Sequence, residues 1–302
     1  MSATSGRVFM LSPRLPARLL SVNPDGGDLR IVIEGFQDLP DGVAIDPIKG
    51  QLFCTFMGRS RVGEDFFEVD GFIERANLDG TERTVIVPVG KIVTGKQIQC
   101  DVKNGRIYWC DREGMRVMSS RTDGADLTVH IQTGFTEEDS YDRRRHCVGV
   151  AVDSEGGFLY WTQKGKPKGN EGRIFRAPLS VGPDMDPAYR TDIEVLFEGL
   201  PEPIDLEWDG ATRTLFWTDR GKLPKGNTLN RARILDGKPV DHEILLSGLK
   251  EAIGLALDGE RRRIFVSDLA GDLWVVSLDH PEEAKVIYRN QTPLTGIAYI
   301  HL

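Results

Sequence analysis

The sequence predicts an all-β protein, a ring of repeated four-stranded units, and three observations carry that prediction. An aromatic strand recurs down the chain as Phe53-Cys54-Thr55-Phe56, Tyr108-Trp109-Cys110-Asp111, Tyr160-Trp161-Thr162-Gln163, Phe216-Trp217-Thr218-Asp219 and Phe265-Val266-Ser267-Asp268. Each copy follows, across a polar turn, a second repeated strand: Gly42–Asp46, Gln97–Asp101, Gly149–Asp153, Asp205–Asp209 and Gly254–Asp258. The chain ends on Thr295–Ile300, which matches the opening strand of one more unit and then stops. Copies about 50 residues apart, with four strands in each unit, have the spacing of propeller blades.

Each pair of strands reads as a β-hairpin, an apolar strand turning into an aromatic and β-branched one. Two further strand-like runs follow it. In the first unit these are Phe72–Leu78, a turn at Asp79-Gly80, and Thr84–Val87. The same order returns as Arg116–Ser120 with Leu127–Ile131, and as Arg231–Leu235 with His242–Leu246. The N-terminus supplies Arg7–Leu11, Arg18–Val22 and Arg30–Ile33, the three strands missing from the last unit. The C-terminal strand is therefore expected to pair with the N-terminal segment and close the ring, which removes exposed sheet edges. The fold read from the chain is a six-bladed β-propeller of four-stranded antiparallel blades. Residues 1–302 form one domain in this reading, with blade six shared between residues 7–34 and 295–302.

Composition bounds the function. A formal charge of −8 lacks the basic footprint of non-specific nucleic-acid binding. No run approaches the roughly 18 apolar residues of a membrane span, and the N-terminus carries no signal-peptide pattern, so a cytoplasmic location is expected. Cys54, Cys100, Cys110 and Cys147 are too few and too scattered for a disulfide framework and form no Cys-x-x-Cys pair. Gly-x-Ser-x-Gly, His-Glu-x-x-His, Walker and dinucleotide-binding signatures are missing, which argues against hydride transfer, nucleotide hydrolysis and zinc proteolysis.

The Tyr/Phe-Trp-Thr-Asp strand, the Gly-apolar-Ala-apolar-Asp strand and the Leu-Asp-Gly turn resemble the Tyr-Trp-Thr-Asp (class B) repeats of the low-density lipoprotein receptor family. The resemblance spans essentially the whole chain. It implies the six-bladed propeller, but the receptors flank theirs with cysteine-rich modules that this chain lacks. The chain is more similar to stand-alone propellers of the wider six-bladed group, which includes gluconolactonase-like and strictosidine-synthase-like enzymes and fungal natural-product enzymes that cyclise or isomerise substrates without a cofactor.

Repeats supply an internal standard for finding a site. Counting back four from the residue that closes each first strand gives Gly42, Gln97, Gly149, Asp205, Gly254 and Gly296. Two residues further on the series is Ala44, Gln99, Ala151, Glu207, Ala256 and Ala298. Gln97, Gln99, Asp205 and Glu207 break both rules in the same two blades, and period-2 facing puts them together near the channel. Either they bridge waters and neighbouring blades, or Asp205 or Glu207 is an acid/base with Gln97 or Gln99 as a hydrogen-bond donor. A half-buried carboxylate has a raised pKa and works near neutral pH.

Loops entering the first strands ring one mouth, where ligand sites are usually built. Asp41, Lys96, His146, Glu202, Glu251 and Thr295 are expected there, with His146 as a third catalytic group. Lys96, Asp41 and Glu202 are taken as substrate-binding, along with Tyr141 and Arg145 from the long connector that precedes His146. The Arg143–Arg145 run is either a solvated loop or an anion trap. Basic loops follow the aromatic strands at Gln163–Asn170 and Asp219–Asn227; their shared Pro-Lys-Gly-Asn is either inherited loop structure or a means of holding developing negative charge. The insertion from Met57 to Gly71, with Arg59, Arg61, Phe66 and Phe67, is a candidate lid over an apolar ligand.

The function expected from these residues and the resemblance is a cofactor-independent cyclase or isomerase with a small, apolar, oxygen-rich substrate at the channel mouth. A lactonase or other hydrolase using a divalent metal and a non-catalytic protein-interaction propeller are the alternatives. No nucleic-acid or membrane partner is expected.

Overall fold

Short apolar runs closed by Asp- and Gly-containing turns fold into six four-stranded antiparallel sheets in the computed structural model, which describes residues 6–59, 66–182 and 185–301. Blade one is Pro40–Asp46, Gln51–Phe56, Gly71–Asn77 and Thr84–Ile92; blade two is Gly95–Asp101, Arg106–Asp111, Arg116–Arg121 and Thr128–Gln132. Blade three is Cys147–Asp153, Phe158–Gln163, Gly172–Pro178 and Glu194–Leu200; blade four is Pro203–Asp209, Thr214–Asp219, Thr228–Leu235 and Lys238–Ser247. Blade five is Ala252–Asp258, Arg263–Asp268, Asp272–Ser277 and Lys285–Arg289. Blade six joins Ile297–Ile300 to Arg7–Ser12, Ala17–Val22 and Arg30–Phe36. Its closing register pairs Arg7 with Ile300, Val8 with Tyr299, Phe9 with Ala298 and Met10 with Ile297. The six-bladed propeller and its mode of closure are as the sequence predicts.

First strands are almost wholly buried and fourth strands mostly exposed, so the blades stand side by side around the axis with their first strands innermost. The core is divided accordingly. Each of the large apolar clusters is shared by two adjacent blades, as where Tyr108, Cys110, Val117 and Ile131 of blade two meet Val150, Leu159, Trp161 and Phe175 of blade three. The aromatic motif supplies the bulk of this filling, with Trp109, Trp161 and Trp217 fully buried.

The hydroxyl of the same motif has a separate task. Thr162 Oγ1 accepts from Gly149 N at 2.7 Å and donates to Ile204 O at 2.8 Å, so one side chain ties its own first strand to that of the next blade. Thr55, Thr218 and Ser267 make the same bridge to Lys96 O (2.6 Å), Ile253 O (2.6 Å) and Thr295 O (2.5 Å). In blade two Cys110 Sγ stands in the hydroxyl's place, 3.3 Å from Gly149 O. These links satisfy buried backbone groups that face away from any ladder, and they set how far apart neighbouring first strands sit.

Each motif Asp in turn caps the following turn. Asp219 accepts from Glu202 N at 3.0 Å and Gly221 N at 2.8 Å, and Asp111 accepts from Thr94 N at 2.8 Å. The connector entering the first strand is thereby fastened to the loop leaving the second. Among the described residues no helix is long and apolar enough to cross a membrane.

Candidate functional site

A cavity of about 500 Å³ opens at the mouth where first strands begin and second strands end. Two rings, each with one residue from every blade, line it. The inner ring is the residue just before the Gly/Gln/Asp position: Asp41, Lys96, Val148, Ile204, Ile253 and Thr295 in blades one to six. The outer ring is the residue just after the second strand: Met57, Arg112, Lys164, Arg220, Leu269 and Pro13. Backbone bonds from the outer ring to the connectors hold this register, with Met57 N on Leu39 O (2.8 Å), Arg112 N on Thr94 O (3.0 Å), Lys164 N on His146 O (3.3 Å) and Arg220 N on Glu202 O (3.0 Å).

The two rings differ by sector. Blades two, three and four contribute Arg112, Lys164 and Arg220, an arc of cations, whereas blades five, six and one contribute Leu269, Pro13 and Met57. Val148, Ile204 and Ile253 pack as an apolar cluster on the inner ring, with Leu269 against it. Phe66 adds an aromatic wall, with the Arg112 guanidinium 5.7 Å from its ring centre. The site is a mainly apolar bowl with a basic arc on one side and Arg14 contributed from the blade-six edge.

Buried acids offset part of this charge. Lys96 Nζ is 2.7 Å from Asp41 Oδ1, and Gln97 Nε2 donates to Asp41 Oδ2 at 3.2 Å. Arg112 pairs with buried Glu113 at 2.6 Å. Glu202 carries several groups at once: Arg220 Nε at 2.9 Å, the amide of Lys168 at 3.0 Å and Lys164 Nζ at 3.5 Å. Burial, with the nearby Arg112 and Arg220 charges, pulls the Lys164 ammonium down to about 7, against the weaker opposing pull of Glu202. Burial also lowers Lys96, which Asp41 resists. Thr295 Oγ1 lines the cavity, is buried and has no hydrogen-bond partner.

Of the residues expected from the sequence, Asp41, Lys96, Thr295 and Phe66 line the cavity. The others lie elsewhere, and the register explains why. A side chain at the Gly position points sideways into the next blade: a Cβ on Gly149 would sit 2.1 Å from Ile204 O, and one on Gly296 2.4 Å from Asp41 O. Asp205 occupies that position in blade four, and its carboxylate takes the amides of Leu206 (2.9 Å) and Leu255 (3.1 Å), a tie between blades four and five. Burial raises its pKa well above the usual carboxylate range. Gln99 and Glu207 are half-buried further along the channel, where Gln99 Nε2 reaches Leu206 O at 3.4 Å. Neither Asp205 nor Glu207 lines the mouth cavity.

His146 and Glu202 fall two residues short of the inner ring. The His146 Nε2 atom is 2.7 Å from Ser140 O, so that nitrogen carries the proton, and burial drops the imidazole to about 4. It is a neutral, structural contact of the connector rather than part of the lining. The arginine run is neutralised locally: Arg144 binds Asp142 at 2.8 Å and Arg145 reaches Asp139 at 3.3 Å, within a short helix, Glu137–Tyr141, capped by Thr136. None of the three arginines lines the cavity. Tyr141 is exposed on that helix, its ring tilted against that of Phe67 with centroids 4.7 Å apart, and neither lines the cavity. Arg61 of the expected lid lies outside the described residues.

Sequence reasoning named the Lys164 and Arg220 loops but missed Arg112 and the arc as a unit. The signal was present one residue past the aromatic motif, where three successive blades carry a cation and three do not.

A pH test follows for the inner channel. Burial pushes Glu207 up to about 7, so the folded state holds a proton that the unfolded state has released between about pH 4.5 and 7. Wild-type stability therefore loses ground across that window. Glu207→Gln is expected to gain roughly 2 kcal/mol on wild type between pH 4.5 and 7.5, read as the difference of two urea-unfolding series. A constant difference would show that the carboxyl titrates normally.

The described residues contain no group of three or more His, Cys, Asp or Glu side chains gathered as metal ligands. Around the mouth itself, Lys96, Arg112, Lys164 and Arg220 occupy positions where a divalent ion needs oxygen donors. The residues present do not fit a gluconolactonase-type ion at this mouth.

Fold and cavity together define a six-bladed propeller with a ligand-sized bowl at one mouth. No protein-family profile matches the chain. Among curated proteins it is similar to the "Low-density lipoprotein receptor-related protein 1" of Pyricularia oryzae, with 45% identity over 94% of this chain and 92% of that protein. It is also 36% identical to the "3-hydroxyacyl-CoA dehydrogenase-like protein LAM1" of Cochliobolus heterostrophus, over 98% of this chain but 65% of that protein. The chain belongs to the family of the Pyricularia low-density lipoprotein receptor-related protein 1. Among solved structures, nidogen in its laminin complex superposes with a TM-score of 0.74 over 98% of both chains at 18% identity, a likeness of fold alone.

Proposed function

We propose that the protein is a cofactor-independent enzyme of the isomerase or cyclase type, acting on a small, largely apolar molecule that presents a carboxylate or enolate oxygen to the basic arc. The observation that carries this reading is the placement of Arg112, Lys164 and Arg220 along one side of an apolar cavity of about 500 Å³. Val148, Ile204, Ile253 and Leu269 take a carbon skeleton, while the arc meets negative charge away from bulk water, where each contact is strengthened. Lys164, with its ammonium near neutrality, is the group able to take or return a proton at pH 7. Thr295 Oγ1 supplies a hydrogen bond to a second oxygen. The acid/base role expected of Asp205 or Glu207 passes in this reading to Lys164, since Asp205 ties two blades together and neither carboxylate lines the cavity. The name of the LAM1 relative, drawn from 3-hydroxyacyl-CoA chemistry, supports an enzymatic setting.

The test is binding of 3-phenyllactate, an apolar carboxylate of suitable size, followed by titration calorimetry. Arg112→Gln and Arg220→Gln are each expected to weaken binding roughly 10- to 100-fold, as loss of a charge-assisted contact does. Proton transfer is then read as deuterium uptake at carbon in phenylpyruvate dissolved in D₂O with the protein, above the buffer rate. Absence of saturable binding of 3-phenyllactate up to millimolar concentration would sink the proposal.

A further inference from the structure

The two lysines on the cavity wall are in different electrostatic states. Lys96 Nζ is locked in a short ion pair, 2.7 Å from Asp41 and 3.2 Å from Met57 Sδ. Among the described residues, the nearest carboxylate to Lys164 Nζ is Glu202 at 3.5 Å, and that carboxylate is already engaged by Arg220 Nε at 2.9 Å and by the Lys168 amide. Lys164 is 2% exposed, stands between Arg112 of blade two and Arg220 of blade four on the outer ring, and borders the Val148–Ile204 side of the apolar cluster.

We infer that Lys164 is an imine-forming nucleophile and that the substrate is an apolar oxo acid, a ketone or aldehyde with a carboxylate close to its carbonyl carbon. The inference rests on the proposed function and names the chemistry of the same site. Its reason is chemical. An isomerase or cyclase that works without a cofactor needs some way to acidify a C–H bond beside a carbonyl, and an iminium formed on a lysine is an electron sink that does so. The flanking guanidiniums of Arg112 and Arg220 fit a carboxylate on either side of the amine, and the apolar Val148–Ile204–Ile253 side of the inner ring keeps water from the new C=N bond. The lowered ammonium of Lys164 leaves a large neutral fraction at pH 7, the form that attacks. Among the described residues, the charged and titratable groups around it are Arg112 and Glu113 from blade two, Arg143 and His146 from its own connector, and Glu202 and Arg220 from blade four.

In the step itself the amine nitrogen bonds to the carbonyl carbon as the C=O π pair moves to oxygen. One N–H proton passes to that oxygen. The resulting hydroxyl leaves with the second N–H proton as water, and the nitrogen lone pair closes the C=N bond. Amine and carbonyl give imine and water, with no oxidant or reductant consumed.

The probe is 2,4-pentanedione, which converts a neutral lysine into an enaminone with strong near-ultraviolet absorption and needs no knowledge of the substrate. At pH 7 Lys164 is expected to label at least about tenfold faster than the other lysines by peptide mass mapping, since an ordinary lysine is almost wholly protonated there. The rate should titrate with a midpoint near 7, and 3-phenyllactate should suppress it. Borohydride added with phenylpyruvate should fix one secondary-amine adduct per chain, on Lys164. In Lys164→Arg the fast labelling and the borohydride adduct should both vanish. If Lys164 labels no faster than exposed lysines, or borohydride fixes no adduct there while 3-phenyllactate still binds, the imine is wrong and the anion-binding enzyme stands. Failure of 3-phenyllactate to bind removes the parent reading instead, and the oxo-acid assignment with it.

Discussion

Gly149→Ala is expected to lower the free energy of unfolding by about 3 kcal/mol or more in urea titration, whereas Gly259→Ala changes it by less than about 0.5 kcal/mol. The difference lies in what the added methyl meets. At Gly149 it falls 2.1 Å from the Ile204 carbonyl oxygen and 2.9 Å from Asp205 Cα, backbone atoms of the neighbouring blade that no rotamer change can move. At Gly259 the nearest atom is the tip of Leu257, 4.0 Å away. The clash also strikes the inter-blade link, because Ile204 O is the acceptor of Thr162 Oγ1 and Gly149 N its donor partner. Forcing blades three and four apart adds about 1 kcal/mol of lost hydrogen bonding to the overpacking cost. The same movement displaces Ile204 on the cavity wall, so ligand binding should weaken together with stability. A Gly149→Ala protein of wild-type stability would mean that the blades pack more loosely than their geometry indicates.

The second large effect concerns Glu202, which is fully buried and carries Arg220, the Lys168 amide and Lys164. Removing one partner of a buried ion cluster leaves uncompensated charge, which costs about 3–5 kcal/mol. Glu202→Leu is expected to lose stability on that scale, by thermal or urea unfolding. Lys164→Met introduced into Glu202→Leu should recover part of the loss, because it removes one of the stranded cations. Strict additivity of the two changes in a double-mutant cycle would show that Lys164 and Glu202 do not interact, and the account of the arc's charge balance would fall with it.

Both variants probe positions whose meaning depends on register. The Gly42 series was visible in the sequence as a run of small residues broken by Gln97 and Asp205, and reading those breaks as a polar cluster near the axis was correct in part. Gln97 does reach Asp41, and Gln99 does reach blade four, at Leu206 O. What periodicity could not supply was direction. A strand at the centre of a propeller has its side chains aimed alternately at the neighbouring blade and along the channel, and the twist of each blade shifts which residue faces the opening. Asp205 consequently bridges two blades, and the residue before it, the bland Ile204, faces the cavity. His146 misled for a related reason, since a lone histidine in a long connector gives no sign that Ser140 O will occupy its ring nitrogen.

By itself the sequence determined the all-β class, the count of six blades, the closure of the last blade by the first residues, and the identity of the aromatic strand as a repeated structural element. Those features depend on local pattern: period-2 alternation, turn residues and recurrence at a fixed interval, all of which are written linearly. The tertiary structure alone decided that Arg112, Lys164 and Arg220 share one side of the mouth. Arg112, Lys164 and Arg220 are separated by more than fifty residues each along the chain yet become neighbours because consecutive blades bring equivalent positions to one rim. The lowered ammonium of Lys164 depends on that convergence of cations and on burial behind the Val148–Ile204–Ile253 ring, and neither exists until the circle of blades is closed.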